Sequence, residues 1–461
     1  MFSSKKTEAL LATIRAGKVM TLGEKLHLII ELSIPSILAQ ITTVLMLFID
    51  SSMVGHLGTN ASASIGLIQS TTWLMSNVTV AAAMGFSVQA AHFIGANDFV
   101  KARQVFRHGL ICAITLSIIL GIIGIVVSFP LPYWLGGTAE FAGGSSQYFF
   151  VFSLILPFIQ LANLTAAMLK CSGNMTVPSI ISVAMCILDV VFNYLFIYIL
   201  DYGVLGAALG TATAFIIGSL TEMYIAVRRN KILALNQDHT PFRWMSNYVH
   251  NAVKIGLPMA IQSVLMSGAQ IISTVIVAPL GKVAIAANTF AITVESLCYM
   301  PGYGIGDAAT TLVGQSMGAG RQDVCRSFAR MTVFLGMAVM AFMGVLMYIF
   351  APEMLGVLTP VDAIREQGVQ SLRIEAFAEP FFAASIVVYC VCVGAGDTLK
   401  PALMNLLSIW CVRLTLAAIL APTYGLEGVW VAMAVELTFR GSIFLYRLFF
   451  GKWQSNAHKI S

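Results

Sequence analysis

Ile34-Pro-Ser-Ile-Leu-Ala-Gln-Ile-Thr-Thr-Val-Leu-Met-Leu-Phe-Ile-Asp50 opens a pattern that this chain repeats. Its counterpart, 223 positions on, is Leu257-Pro-Met-Ala-Ile-Gln-Ser-Val-Leu-Met-Ser-Gly-Ala-Gln-Ile-Ile-Ser273. Both stretches lie in apolar runs of about 20 residues or more, the length that crosses a bilayer as helix, and both carry an early proline. Only the first ends on a carboxylate. The same shift carries Gly58 onto Gly281, Gly95-Ala96 onto Gly318-Ala319, Arg103 onto Arg326, Pro157 onto Pro380, Gly173 onto Gly396 and Pro178 onto Pro401. Near the end, Gly203-Val-Leu-Gly206 answers Gly425-Leu-Glu-Gly428 at a shift of 222. A duplicated frame charged in one copy implies two similar lobes, one of them specialised for a cation.

Composition identifies the solvent. Hydrophobic residues make up 58% of the chain and charged residues 10%, with a mean hydropathy of +0.85. A soluble domain carries about 25% charged residues, so this chain cannot cover a surface facing water. Barrel strands would alternate apolar and polar residues, whereas these runs are continuous. The predicted fold is an all-α polytopic membrane protein with twelve transmembrane helices. The runs are 27–54, 61–92, 101–128, 142–169, 178–200 and 204–227, then 249–278, 284–316, 324–350, 366–393, 401–421 and 426–448. Six spans per copy is an even number, so the copies enter from one side as two parallel six-helix repeats. The expected segments are 1–26 (N-terminal), 27–228 (N-lobe), 229–248 (linker), 249–450 (C-lobe) and 451–461 (tail).

With the N-terminus inside, inner segments hold 21 of the 26 basic residues, and the outer loops hold Lys282 and Arg365. The positive-inside rule then predicts a multi-pass plasma (inner) membrane protein with both termini and the linker cytoplasmic. The net charge of +5 reflects these topological anchors and requires no nucleic-acid partner. Residues 4–16 read as a short amphipathic helix. The first apolar stretch is too short and interrupted for a signal peptide. All eight cysteines lie in spans or inner loops, so no disulfide is expected.

A charge inside lipid costs about 2.5–3.5 kcal/mol on insertion scales, so each one is a functional candidate. Asp50 lies eight residues before Gly58, Asn193 eight before Asp201, and Thr211 eight after Gly203. At ~1.5 Å per residue all three sit ~12 Å below the outer boundary. Asp189 lies one turn deeper than Asn193 on the same face. Two carboxylates, an amide and a hydroxyl at one depth can hold a small hard cation or an exchangeable proton; a structural hydrogen-bonded cluster is the alternative.

Candidate substrate-cavity residues come from polar stripes at helical spacing. Ser36, Gln40 and Thr43 lead up to Asp50; Asn77 follows Gln69 and Trp73; Gln262, Ser263, Ser267 and Gln270 mark the seventh span. Each stripe also fits plain interhelical hydrogen bonding. Pro35 reads as a hinge beneath Asp50 or as a fixed bend. The second copy holds Glu295, Asp307, Glu375, Glu379 and Arg413 within spans. Arg413 is expected to pair with Glu375 or Glu379. Glu295 and Asp307, ~18 Å apart in similar phase on one helix, are expected to line the C-lobe cavity.

The stretch Phe48-Ile-Asp50-Ser-Ser-Met-Val-Gly55-His-Leu-Gly58 resembles the end of helix 1 in the multidrug and toxic compound extrusion (MATE) family. So do Val277-Ala-Pro-Leu-Gly281, Val313-Gly-Gln-Ser-Met-Gly318-Ala-Gly320, Gly173-Asn174 and Gly396-Asp397. The resemblance spans the chain and implies cation-driven drug antiport by alternating access of two lobes. In one branch it implies a cation site made of an acid on helix 1, an Asn-x-x-x-Asp pair on helix 5 and a Thr on helix 6. Asp50 and Thr211 match, and the helix 5 pair is reversed as Asp189-x-x-x-Asn193. The C-lobe acids of another branch align with Met266 and Ala384, so that site is not expected.

The expected activity is export of small-molecule drugs or organic cations in exchange for inward H⁺ or Na⁺. No cofactor is expected, no metal beyond Na⁺ at Asp50, Asp189, Asn193 and Thr211, and the protein is expected to work as a monomer. A lipid-linked saccharide flippase is the alternative, but it would need several basic residues in its cavity. The chain has no HExxH, no GxSxG with partners and no phosphate loop, which argues against an enzyme.

Overall fold

Gly58 and Gly281 hold φ angles of +113° and +102°, which a side chain rarely tolerates. Each marks the hairpin between the first two long helices of its copy, so the repeat is a repeat of turn geometry. The computed structural model describes residues 5–455. All regular elements among them are helical. The first copy comprises α1 (Lys5–Arg15), α2 (Leu22–Gly55), α3 (Thr59–Gly95), α4 (Phe99–Val127), α5 (Leu131–Trp134), α6 (Ala139–Leu154), α7 (Leu156–Cys171), α8 (Thr176–Tyr194) and α9 (Gly203–Tyr224). The second comprises α10 (Ser246–Val277), α11 (Lys282–Gly318), α12 (Gln322–Leu358), α13 (Asp362–Ala376), α14 (Glu379–Gly394), α15 (Leu399–Leu407), α16 (Leu414–Tyr424) and α17 (Leu426–Phe450).

Ten spans are long and apolar enough to cross a bilayer, and two bent pairs bring the total to twelve. The pairs are α6–α7, bent by 49°, and α13–α14, bent by 60°. The sequence reads each as one continuous run. The break has the same cause in both copies: Pro157 and Pro380 sit at the second position of the later helix and cannot donate back across the joint. Ile122, Ile123 and Val126 on α4 are more than half exposed, as suits a face turned to lipid rather than water.

The chain forms two compact units whose boundaries differ from those of the repeats. One contains residues 5–15 and 42–260, the other 16–41 and 261–455. Helices α2 and α10 therefore each serve both units. In the first unit, the start of α10 packs on α3, where a Cβ on Gly256 would meet the Ala81 carbonyl at 2.7 Å. In the second, the start of α2 packs on α11, where a Cβ on Gly304 would fall 2.6 Å from the Ile37 backbone. Backbones approach this closely only where one residue has no side chain.

The first unit is centred on Phe86, Ile94, Phe106, Leu164 and Met168. Helix α1 belongs to it, with Leu10, Leu11 and Ile14 buried, so its apolar face is covered by protein. The second unit has one core around Trp430, Met347 and Leu355 and another around Val313, Ala329 and Phe444. Pro35 lies inside an unbroken α2. Residues 1–4 and 456–461 of the expected terminal segments lie outside the described residues.

Candidate cation-coupling site

Three helices of the first unit converge on one carboxylate pair. Asp189 and Asn193, one turn apart on α8, are 0% and 1% exposed. The Asn193 amide donates to Asp50 Oδ1 at 2.8 Å and to Asp189 Oδ2 at 3.2 Å, joining α2 to α8. The carboxyl groups of Asp50 and Asp189 face each other, and the Thr211 hydroxyl lies beside Asp189. The four residues expected from depth thus share one locus, which Asp50 opens because it is only half-buried. Directly after Asn193, the backbone relaxes into a π-helical turn, Leu195–Ile199.

Asn193 reaches Asp50 because Gly210 on α9 leaves room behind it. A Cβ there would run into Asn193 Oδ1 and approach its backbone nitrogen to 2.8 Å. Gly210→Ala is therefore expected to push Asn193 off Asp50 and lower stability by about 1–3 kcal/mol, the scale of overpacking. Thermal unfolding in detergent would measure this; an unchanged melting temperature would mean that α9 yields freely.

Asp189 Oδ1 and Asn193 Oδ1 are buried acceptors with no hydrogen-bond donor. A buried acceptor left unpaired is costly, and the two unpaired oxygens lie on adjacent turns of α8 beside Asp50. Two carboxylates, an amide oxygen and a hydroxyl form the all-oxygen donor set that suits a small hard cation. Tyr148 on α6 also faces Asp50 and Asp189 and packs beside Val54, Ile197 and Ala207. Sequence reading missed it because it sits among Phe149, Phe150 and Phe152 and reads as one more packing aromatic.

The remaining candidates are placed differently. Ser36 donates to Asp307 Oδ2 at 2.6 Å and Gln40 at 3.3 Å, tying the start of α2 to α11 inside the second unit. Asp307→Asn is expected to weaken this tie by about 1.5–3 kcal/mol, the range for hydrogen bonds to a charged group, read as a lower melting temperature. Thr43, Asn77 and Gln270 are exposed, while Gln262 is half-buried with Oε1 unpaired.

Glu295 is 6% exposed and faces Glu375 rather than open space. Glu375 and Glu379 are fully buried, and their four oxygens have no hydrogen-bond donor. Arg413 does not pair with either, contrary to the sequence expectation. It binds Glu436 through Nη2 at 2.6 Å and Nε at 2.9 Å. Arg440 adds a contact at 3.1 Å and Ser408 a hydrogen bond at 2.6 Å, so Glu436 is saturated. Ser408 and Arg413 reach it from a π-helical segment, Ser408–Arg413. The available sequence signal was Glu436 four residues before Arg440 within one apolar span. Two guanidiniums, Arg413 and Arg440, stand among the four buried carboxylates Glu295, Glu375, Glu379 and Glu436, an excess of acid within this cluster. No group of three or more His, Cys, Asp or Glu placed to hold a metal ion occurs among the described residues.

Two copies of one six-span frame, each enclosing buried carboxylates, define a polytopic membrane protein with polar groups held inside its helices. The MatE family pattern matches residues 35–195 and again 258–419, well over half of the chain, and the protein belongs to that family. The two matches start 223 positions apart, the shift of the internal repeat. The chain is 25% identical over 435 residues to a probable multidrug resistance protein NorM of Thermotoga maritima, covering 93% of each. It is 28% identical over 431 residues to a protein of the same name from Pseudomonas aeruginosa, covering 89% of this chain and 86% of that one. Among solved structures, a MATE protein in complex with MaL6 superposes at a TM-score of 0.89, with 20% identity and 99% coverage of both chains. A MOP superfamily transporter from Pyrococcus furiosus superposes at 0.88, with the same identity and coverage.

Proposed function

We propose that the protein exports lipophilic organic cations, driven by inward H⁺ or Na⁺ that binds between Asp50 and Asp189. The observation that carries this reading is the pair of unpaired buried acceptors, Asp189 Oδ1 and Asn193 Oδ1, beside a half-buried second carboxylate. A cation or proton entering past Asp50 cancels one of the two negative charges of the pair and favours a different packing of α2, α8 and α9. The drive it supplies equals its difference in affinity between the two packings. The names of the relatives, multidrug resistance proteins, support a drug as cargo. The acid excess around Glu295, Glu375 and Glu379 would favour cationic cargo over anionic. A flippase for lipid-linked saccharides would need free cations in its cavity, whereas Arg413 and Arg440 are both engaged by Glu436. The reading includes a monomer in the plasma (inner) membrane, with the Lys- and Arg-rich segments cytoplasmic.

The test is movement of a fluorescent lipophilic cation across proteoliposomes holding the wild-type protein. A pH gradient is imposed in one arm and a Na⁺ gradient in the other. Transport that follows one gradient and stops on its collapse supports antiport and names the ion. Transport that ignores both gradients refutes it.

A further inference from the structure

The repeat duplicates a pair of arginines but not what they bind. In the first copy Arg103 and Arg107 lie one turn apart on α4, and the connecting segment after α9 covers them. Arg103 Nε donates to the Ile232 carbonyl at 2.9 Å. Arg107 donates to the carbonyls of Thr240 at 3.0 Å and Asp238 at 3.2 Å, and lies 3.5 Å from the Asp238 carboxylate. That pair is satisfied by its own chain.

The equivalents, Arg326 and Arg330 at the start of α12, instead face an open cleft of about 420 Å³. The chain after α17 turns beneath it, with Trp453 buried and its indole N–H on the Leu448 carbonyl at 3.1 Å. Gln454, 9% exposed, accepts from Arg326 Nε at 2.8 Å and donates to the Gln322 carbonyl at 3.1 Å, which fixes the Arg326 fork. Arg330 lies 5.3 Å above the Phe449 ring. Lys452 adds a third cation, and no acidic side chain lines the cleft. Among the described residues, none of the three cations is paired with a carboxylate.

Three cations in a formed cleft select a phosphate group, to which an arginine fork can donate two bonds. The surroundings indicate its source. The cleft lies where α12 begins and α17 ends, at the ends of two helices long and apolar enough to cross a bilayer. One turn beyond Arg330, Phe334 is 55% exposed and its ring is 6.2 Å from Phe449. Phe450 and Tyr446 are 75% and 68% exposed on the same edge. Charge at the boundary followed by open aromatic surface matches a phospholipid, headgroup first and acyl chains second.

We propose that the cleft between Arg326, Arg330 and Lys452 is a headgroup site for an anionic phospholipid. The full-length protein in detergent is titrated with phosphatidylglycerol, phosphatidylcholine and inorganic phosphate, with binding read by native mass spectrometry. Wild type is expected to prefer phosphatidylglycerol. R326Q/R330Q loses this affinity by on the order of tenfold or more, the scale that two cations contribute near a membrane surface. R228Q/R229Q, which removes two exposed cations elsewhere, keeps it. Should the double variant fail to purify as a single species, the exposed Lys452→Gln decides the matter, with a loss of about fivefold expected for one cation. Equal loss in R228Q/R229Q would mean diffuse attraction and overturn the site. Equal binding of phosphatidylcholine, or displacement of phosphatidylglycerol by comparable inorganic phosphate, would overturn the lipid assignment.

Discussion

Asp189→Asn is expected to reduce gradient-driven transport by roughly 10- to 100-fold, the range set by coupling energies of 1–3 kcal/mol, while leaving the protein as stable as wild type or more so. The two halves of this expectation have one cause. Asp189 is fully buried with one oxygen unpaired, so without a cation its carboxylate is a burden on the fold, and a neutral amide of the same shape relieves it. The same change removes the charge that makes cation binding favourable. Asp50→Asn should act in the same direction with a smaller effect on stability, because Asp50 is only half-buried and its Oδ1 accepts from the Asn193 amide. Transport in proteoliposomes and melting temperature in detergent, measured on the same preparations, check both halves. If transport persists in Asp189→Asn, the coupling ion binds elsewhere, and the Glu295–Glu375–Glu379 group becomes the next place to look.

The other large effect concerns stability alone. Arg413→Leu leaves Glu436, fully buried, with only Arg440 and Ser408. Removing one partner from a buried ion pair costs about 3–5 kcal/mol, enough to abolish folding in a marginal protein. Replacing Glu436 as well would strand the buried Arg440, whose ion-pair partner it is, so all three members must be replaced together for no charge to be stranded. The triple variant R413L/E436Q/R440L should recover most of the lost melting temperature. Arg413→Lys should fall between, since a point charge cannot reproduce the two bonds of the guanidinium fork. If Arg413→Leu melts with the wild type, Arg440 alone is sufficient for Glu436.

Much of the fold was legible because membrane helices leave few ways to read an apolar run. Pro35, Gly58, Gly95 and Gly173, recurring at a constant shift, marked the duplicated frame before any contact was known. The Asp50 cluster was legible through depth: a rigid rise per residue converts distance from a turn into height in the bilayer. Lateral neighbours were harder. Arg413 reads as a partner of Glu375 or Glu379, and only packing shows that it binds Glu436 instead. The tie of Asp307 to Ser36 and Gln40 was not legible, because nothing in hydropathy shows that the start of α2 joins the second unit. Hydropathy records burial from water but carries nothing about which helix does the burying. The breaks before Pro157 and Pro380 were written in the sequence, yet a proline near the middle of a span bends some membrane helices and breaks others.

The sharing of α2 between units has a consequence for how the protein is made. Ser36 and its partner Asp307 are 271 residues apart. At ribosomal speeds of about 5–20 residues per second, Ser36 on α2 waits roughly 15–50 s before the residue that holds it exists. During that interval residues 16–41 have no native neighbour, and the insertion machinery or lipid must shelter them. The second unit therefore begins with residues 16–41, made before most of the first unit, and a synthesis halted at the linker leaves that strip of helix without the α11 residue that holds it.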